Sequence, residues 1–112
     1  GVLDLDDLNG LYNQMSAALV LSLTNCSLLP LELLAAGCVP VMNDADNNRM
    51  VTDVETIRYC PPSPHALARA LAETCDLATP ASARRAQESV SALDWATSCQ
   101  RFEAVLTGAL RA

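Results

Sequence analysis

The segment from Ser22 to Glu32 gathers groups able to meet a ligand between two apolar runs: hydroxyls at Ser22, Thr24 and Ser27, an amide at Asn25, a thiol at Cys26 and one acid, Glu32. An apolar run, Ala18 to Leu23, precedes the polar residues, and a second, Cys38 to Met42, follows Gly37. This reads as strand, polar loop, short helix and strand, with Glu32 the only charge on the helix. Junctions of this kind, at the carboxyl ends of parallel strands, are where α/β domains bind ligands. The amino end of the helix, from Ser27 and Leu28, offers unpaired N–H groups and a partial positive charge, which suits a phosphate. Each residue also has a plainer reading. Glu32 alone is a solvated glutamate on a surface helix. Asn25 and Ser27 are turn and cap residues whose side chains bond nearby backbone. Cys26 has no neighbouring base and reads as a packed loop thiol rather than a nucleophile.

Little else in the chain carries chemistry. There is no lysine, which excludes Schiff-base mechanisms. The five cysteines are scattered without a Cys-x-x-Cys pair and accompany one histidine, so no metal site is expected. They read as reduced, mostly packed thiols of a cytoplasmic protein. His65, at a helix start, reads as a surface residue. Asp44, Asp46, Asn47 and Asn48 read as a solvated loop rather than a sugar pocket or cation site, because no calcium-loop spacing is present. A net charge of −6 speaks against nucleic acid or an anionic membrane as partner. No apolar run is long enough to span a bilayer.

The elements that must position these groups follow from periodicity. With 112 residues and 51% hydrophobic content, the chain suits one domain, residues 1–112. Leu5, Leu8, Leu11, Tyr12 and Met15 fall on one helical face behind Asp4. The apolar run from Ala18 predicts a strand covered on both faces. Pro40 places the second strand near an edge or makes its pairing begin late. Residues 43–53 predict a loop, and Thr56 to Tyr59 a third strand. Ser63-Pro64, Thr79-Pro80 and Asp94 are helix-start signals. Ala83, Ala86, Val90 and Leu93 line the second of these helices, with Arg84 and Arg85 exposed. Trp95 reads as a packing anchor on the last helix, whose stripe runs through Cys99, Phe102, Leu106 and Leu110. Crossovers between successive strands imply a parallel sheet, so the fold class is α/β: a Rossmann-like three-layer domain with carboxyl-terminal helices.

With these residues in view, the chain resembles the carboxyl-terminal half of a GT-B fold, family 4 type glycosyltransferase. The resemblance rests on Leu19 to Leu23, Thr24 to Ser27, Glu32, and Ala35-Ala36-Gly37-Cys38-Val39-Pro40-Val41. It extends upstream to Gly1-Val2-Leu3 and Leu8, Leu11 and Tyr12. Downstream it takes in Ser63-Pro64, Leu67, Ala68, Ala70, Leu71 and Trp95. Thr24 stands where the first acid of the family's paired-glutamate signature would fall, and Cys26 and Ser27 replace the usual loop glycines. The pattern from Thr24 to Glu32 is similar to a bacterial rhamnosyltransferase-like subgroup.

The resemblance implies that Glu32 holds the ribose of a nucleoside diphosphate sugar. It also implies that Thr24, Asn25, Cys26, Ser27 and Leu28 form the loop and helix start that meet its phosphates and sugar. It implies a retaining transfer to a glycan acceptor held by an amino-terminal domain outside this chain, in polysaccharide biosynthesis. The protein would be cytoplasmic or peripheral at the inner face of the membrane. No cofactor, no metal and no catalytic base within this chain are implied. The 112 residues would be a fragment of a larger enzyme, inactive alone. An uncovered stripe through Phe102 and Leu106 would invite homodimerisation of the isolated fragment. The alternative is a non-catalytic α/β interaction module, a degenerate transferase domain, which Thr24 in place of an acid favours. A receiver-type signalling domain is disfavoured by the missing lysine and by strands ending in Thr24 and Asn43.

Overall fold

The computed structural model describes residues 2–24, 27–52 and 54–110, with the backbone alone at Val51. Asn25, Cys26 and Asp53, together with Gly1, lie outside the described residues, so the expectations placed on them stay where the sequence left them. Among the described residues nine elements follow in order: α1 (Leu5–Tyr12), β1 (Ala17–Val20), α2 (Leu29–Ala35), β2 (Val39–Asn43), α3 (Asp46–Val51), β3 (Arg58–Cys60), α4 (Pro64–Asp76), α5 (Pro80–Val90) and α6 (Trp95–Leu110).

The three strands form a parallel sheet in the order β1-β2-β3, as the crossover pattern requires. One face packs on α2 and α5 through Val20, Leu33, Leu34, Met42, Ala86 and Val90. The other packs on α4 through Val41, Cys60 and Ala70, with Leu67 and Leu71 half-buried beside them. Successive residues Val41 and Met42 therefore face opposite layers, and the central strand has buried side chains on both faces.

β2, not β1, is the strand covered on both sides. β1 has one ladder partner, and Leu19, opposite in facing to Ala18 and Val20, is 47% exposed. It also ends at Val20 rather than Leu23. Pro40 sits in this central strand rather than near an edge. The Val39 N–H bonds the Ser16 carbonyl, so the Pro40 nitrogen faces β3, and the ladder to β3 begins only at Val41↔Arg58. Pairing on that side begins late, where no donor from Pro40 is needed.

Helix starts match the local chemistry. Ser63 Oγ accepts from Ala66 N at 3.2 Å, Thr79 and Ser82 form a reciprocal capping box, and Asp94 Oδ1 accepts from Thr97 N at 2.7 Å. Asp4 occupies its N-cap position without a side-chain bond. Three further expectations fail. Residues 46–51 form α3 instead of a loop, and Leu93 lies beyond the end of α5, 54% exposed. Trp95 is no packing anchor: it is 77% exposed, and α6 has no buried residue. The amphipathic period of α6 marks a stripe, but none of its residues enters the two apolar clusters. No described helix is long and apolar enough to cross a membrane.

Candidate functional site

α2 runs from its start at Leu29 to a stop built by Gly37. Cys38 N–H bonds the Leu33 carbonyl and Gly37 N–H the Leu34 carbonyl, both at 2.9 Å, and Gly37 has φ +83°. This is a Schellman closure, which glycine accommodates without a Cβ penalty. Leu33 and Leu34, 1% and 0% exposed, pin the helix to the sheet. Glu32 points away from that packing. It is exposed, and its carboxylate has no hydrogen bond or ion pair among the described residues.

The amino end of α2 offers fewer free donors than a helix ordinarily does. Ser27 Oγ accepts from Leu29 N at 3.3 Å, and Pro30 has no N–H. The N–H groups of Leu31 and Glu32 both bond the Leu28 carbonyl, at 2.9 and 3.1 Å. Among the donors expected to face a phosphate, the Leu28 N–H has no acceptor among the described residues.

Glu32 and Leu28 line one groove of about 370 Å³ between α2 and the α5–α6 junction, with Leu31, Leu93, Asp94 and Trp95 opposite or beside them. Ser27 and Thr24 lie outside its lining; Thr24 is exposed on the chain leaving β1. Asp94 is committed to capping α6. Its carboxyl is held below the usual 3.8 by the hydrogen bonds from Thr97 N–H and the Thr97 hydroxyl. A larger cleft, about 670 Å³, opens elsewhere, beside β3 among Ser16, Val39, Arg58, Tyr59 and Glu73. It holds none of the expected site residues, and its Arg58 and Glu73 neutralise each other at 2.8 Å. Chemistry, not size, makes the groove at Glu32 the candidate.

The segment expected to be a solvated loop supplies the least expected feature. Asn43, Asn48 and Thr52 are 3%, 0% and 2% exposed, the buried polar side chains of the described chain. Asn43 Oδ1 accepts from Ser22 N–H at 2.9 Å while its Nδ2 donates to the Ser22 carbonyl at 2.8 Å. Asn48 Nδ2 donates to the same carbonyl at 3.2 Å and to the Asn43 carbonyl at 3.0 Å. Thr52 Oγ1 donates to the Asn48 carbonyl at 3.1 Å, and the Tyr59 hydroxyl donates to the Thr52 carbonyl. The polar chain Ser22–Asn43–Asn48–Thr52–Tyr59 thus ties together the carboxyl ends of β1 and β2 and the strand β3. Over it, Arg49 stacks 4.4 Å from the Tyr59 ring centre and pairs with Asp44 at 2.5 Å. The guanidinium holds the Asp44 carboxyl below its ordinary range. The signal for this cluster was the Asn-rich run itself, lacking the Gly and Pro of a true loop.

A family model described as "WsaF, C-terminal domain" matches residues 1–72, which carry all three strands, Glu32 and the Asn cluster but neither α5 nor α6. No curated protein matches the chain, and no solved structure does. With its parallel α/β sheet and the match over nearly two thirds of its length, the chain belongs to the WsaF C-terminal domain family, a glycosyltransferase-related domain.

Proposed function

We propose that the chain is the nucleotide-sugar-binding domain of a retaining glycosyltransferase of the GT-B, family 4 type, in a rhamnosyltransferase-like subgroup. The reaction it serves moves a hexose or deoxyhexose from a nucleoside diphosphate sugar to a glycan acceptor, which an amino-terminal domain of a larger protein holds. WsaF is itself a rhamnosyltransferase, which supports the choice of subgroup. The observation that carries the reading is Glu32: an exposed, uncommitted carboxylate one turn into α2, lining an open groove. Elsewhere in the described chain every buried polar side-chain atom has a partner. A carboxylate so placed accepts the paired hydroxyls of a ribose. The Leu28 N–H, at the positive end of α2, lies one turn away for the phosphates.

In such chemistry the protein orients the donor and stabilises the leaving diphosphate. No residue of this chain is assigned as a base. A hydrogen bond from ribose to a carboxylate contributes roughly 1.5–3 kcal/mol, and a helix amino end at most ~2 kcal/mol. Together these give a dissociation constant near ~1 mM, so the test must read weak binding. In an amide NMR titration with UDP, GDP, ADP and dTDP, shifts at millimolar ligand centre on Leu28 to Glu32 and favour one base. They are lost in Glu32→Ala, which stays folded because Glu32 is exposed and its carboxylate bonds nothing among the described residues. A folded wild type with no such shifts refutes the donor site and leaves the non-catalytic interaction module.

A further inference from the structure

We infer that Asn43 and Asn48 are positioning residues of the donor site: together they clamp the chain as it leaves β1, and with it Thr24, against the carboxyl end of β2. The inference rests on the donor-binding reading above and extends it to residues that reading does not use.

The β1–β2 ladder closes with Val20↔Met42. Beyond it the two chains separate, because Asp44 N–H turns to the Cys60 carbonyl on the other side. Ser22 is therefore left with an N–H and a carbonyl that the ladder cannot serve. The Asn43 carboxamide serves both at once, at 2.9 and 2.8 Å, as one more rung made of a side chain. That is sufficient to satisfy Ser22. Asn48 nevertheless adds a second donor to the same carbonyl, from a fully buried position on α3. Two carboxamides from two elements thus fix one peptide, at the point where the polar loop begins. The loop's other end is fixed separately, by the apolar anchors Leu33 and Leu34 of α2. Ser22 and α2 thus hold the two described ends of that loop, with Thr24 following the first and Leu28 preceding the second.

The chemistry at both positions is specific to asparagine. Aspartate at 43 can accept from Ser22 N–H but sets a lone pair against the Ser22 carbonyl. An apolar residue at 48 leaves the packing volume and removes both of its donated bonds. Thr52 and Tyr59 carry the same network to β3, so the chain leaving β1 is tied to both other strands. Preorganised contacts of this kind keep a binding constellation within the narrow geometry a ligand needs.

The test uses the 112-residue chain and two variants: Asn43→Asp, nearly isosteric, and Asn48→Ala, which leaves the Asn43–Ser22 pair in place. Three readouts are taken on each: affinity for UDP, GDP, ADP and dTDP, hydrogen exchange at the Ser22 amide, and the urea midpoint. In Asn48→Ala the amide shifts of the α2–α5 core stay at wild-type positions and Ser22 exchange rises. Affinity for the preferred nucleotide falls roughly three- to tenfold, the size of the one hydrogen bond to Ser22 that this variant loses. Asn43→Asp raises Ser22 exchange further and weakens binding more. Unchanged affinity in folded Asn48→Ala, with Ser22 exchange raised, overturns the positioning role and leaves the donor site standing. Weakening that only tracks the unfolded fraction in urea overturns it equally. A folded wild type that binds none of the four nucleotides overturns both readings, and that failure shows in the wild type rather than in the variants.

Discussion

Replacing Gly37 by alanine perturbs the joint between the helix that carries Glu32 and the central strand, and the structure fixes the size of the effect. Gly37 has φ +83°, and a Cβ there would stand 3.2 Å from Ala83 Cβ and 3.5 Å from the Ala83 carbonyl oxygen. The left-handed backbone costs a non-glycine residue about 1–2 kcal/mol. The tight contact adds to this, because Ala83 belongs to α5, which packs along α2 and can yield only by shifting as a helix. Reduced freedom of the unfolded chain offsets about 0.4–1 kcal/mol of the sum. The net loss is about 2 kcal/mol, a large share of the 5–15 kcal/mol typical of a domain. In melting temperature that is about 8–12 °C for a chain of this size. Gly10→Ala is the matched control. Gly10 lies inside α1 with nothing within 4 Å of its would-be Cβ and no positive φ. Alanine there gains about 0.5–1 kcal/mol. Urea denaturation of wild type and both variants, with slopes compared, reads both numbers. Two substitutions of the same type should move the midpoint in opposite directions. A Gly37→Ala midpoint within about 0.5 kcal/mol of wild type, or a Gly10→Ala loss equal to it, refutes the reasoning.

Thiol reactivity should divide the described cysteines: Cys75 and Cys99 are exposed, while Cys38 and Cys60 are buried. Burial, with a smaller contribution from Cys75, pushes the Cys38 thiol up to about 11, so alkylation near pH 8 followed by peptide mapping should modify Cys75 and Cys99 first. Modification of Cys38 at the rate of Cys99 in native protein would contradict the core packing. The start of α6 should be acid-sensitive: the Asp94 carboxyl is lowered from 3.8 by Thr97, so its cap is intact above that value and is lost as pH falls through the lower folded value. Trp95 is the single tryptophan and lies beside the cap, so its fluorescence can follow the change. Asp94→Asn, which still accepts from Thr97 N–H, should flatten the acid transition, and an unchanged transition would place the sensitivity elsewhere.

What the sequence made legible was what short-range chemistry decides. Ser63-Pro64, Thr79-Pro80 and Asp94 start helices because a side-chain oxygen and an N–H three residues on are all that is required. The strand–loop–helix–strand unit around Glu32 was legible because Gly37 and the apolar runs bound it. What stayed hidden depends on partners distant in sequence. Asn43 and Asn48 meet Ser22 across 21 and 26 residues, so their burial follows from the sheet and not from their own neighbourhood. The same limit made β1 read as the covered strand: apolar content records how much surface a strand could bury, and the strand order decides how much it does. Trp95 shows it again. Periodicity identifies a stripe on α6 but carries no record of what covers it.

The placement of the buried amides bears on which reading of the site is physically economical. A module needing stability alone would satisfy Ser22 with one carboxamide and fill position 48 with an apolar side chain of similar volume, since burying polar groups gains little over well-packed hydrocarbon even when all bonds are made. Here three polar side chains are buried at and just after the carboxyl end of the central strand, while in the larger cleft beside β3 the Arg58–Glu73 pair stays at the surface. The polar interior is therefore concentrated at the sheet end where parallel α/β domains take ligands. It braces the chain leaving β1 rather than the hydrophobic layers, which Leu33, Leu34 and Met42 already hold without help. On the donor-binding reading proposed above, bracing the chain that leaves β1 lowers the ordering a ligand must impose, while Glu32, exposed and without a bond among the described residues, is left for the ligand.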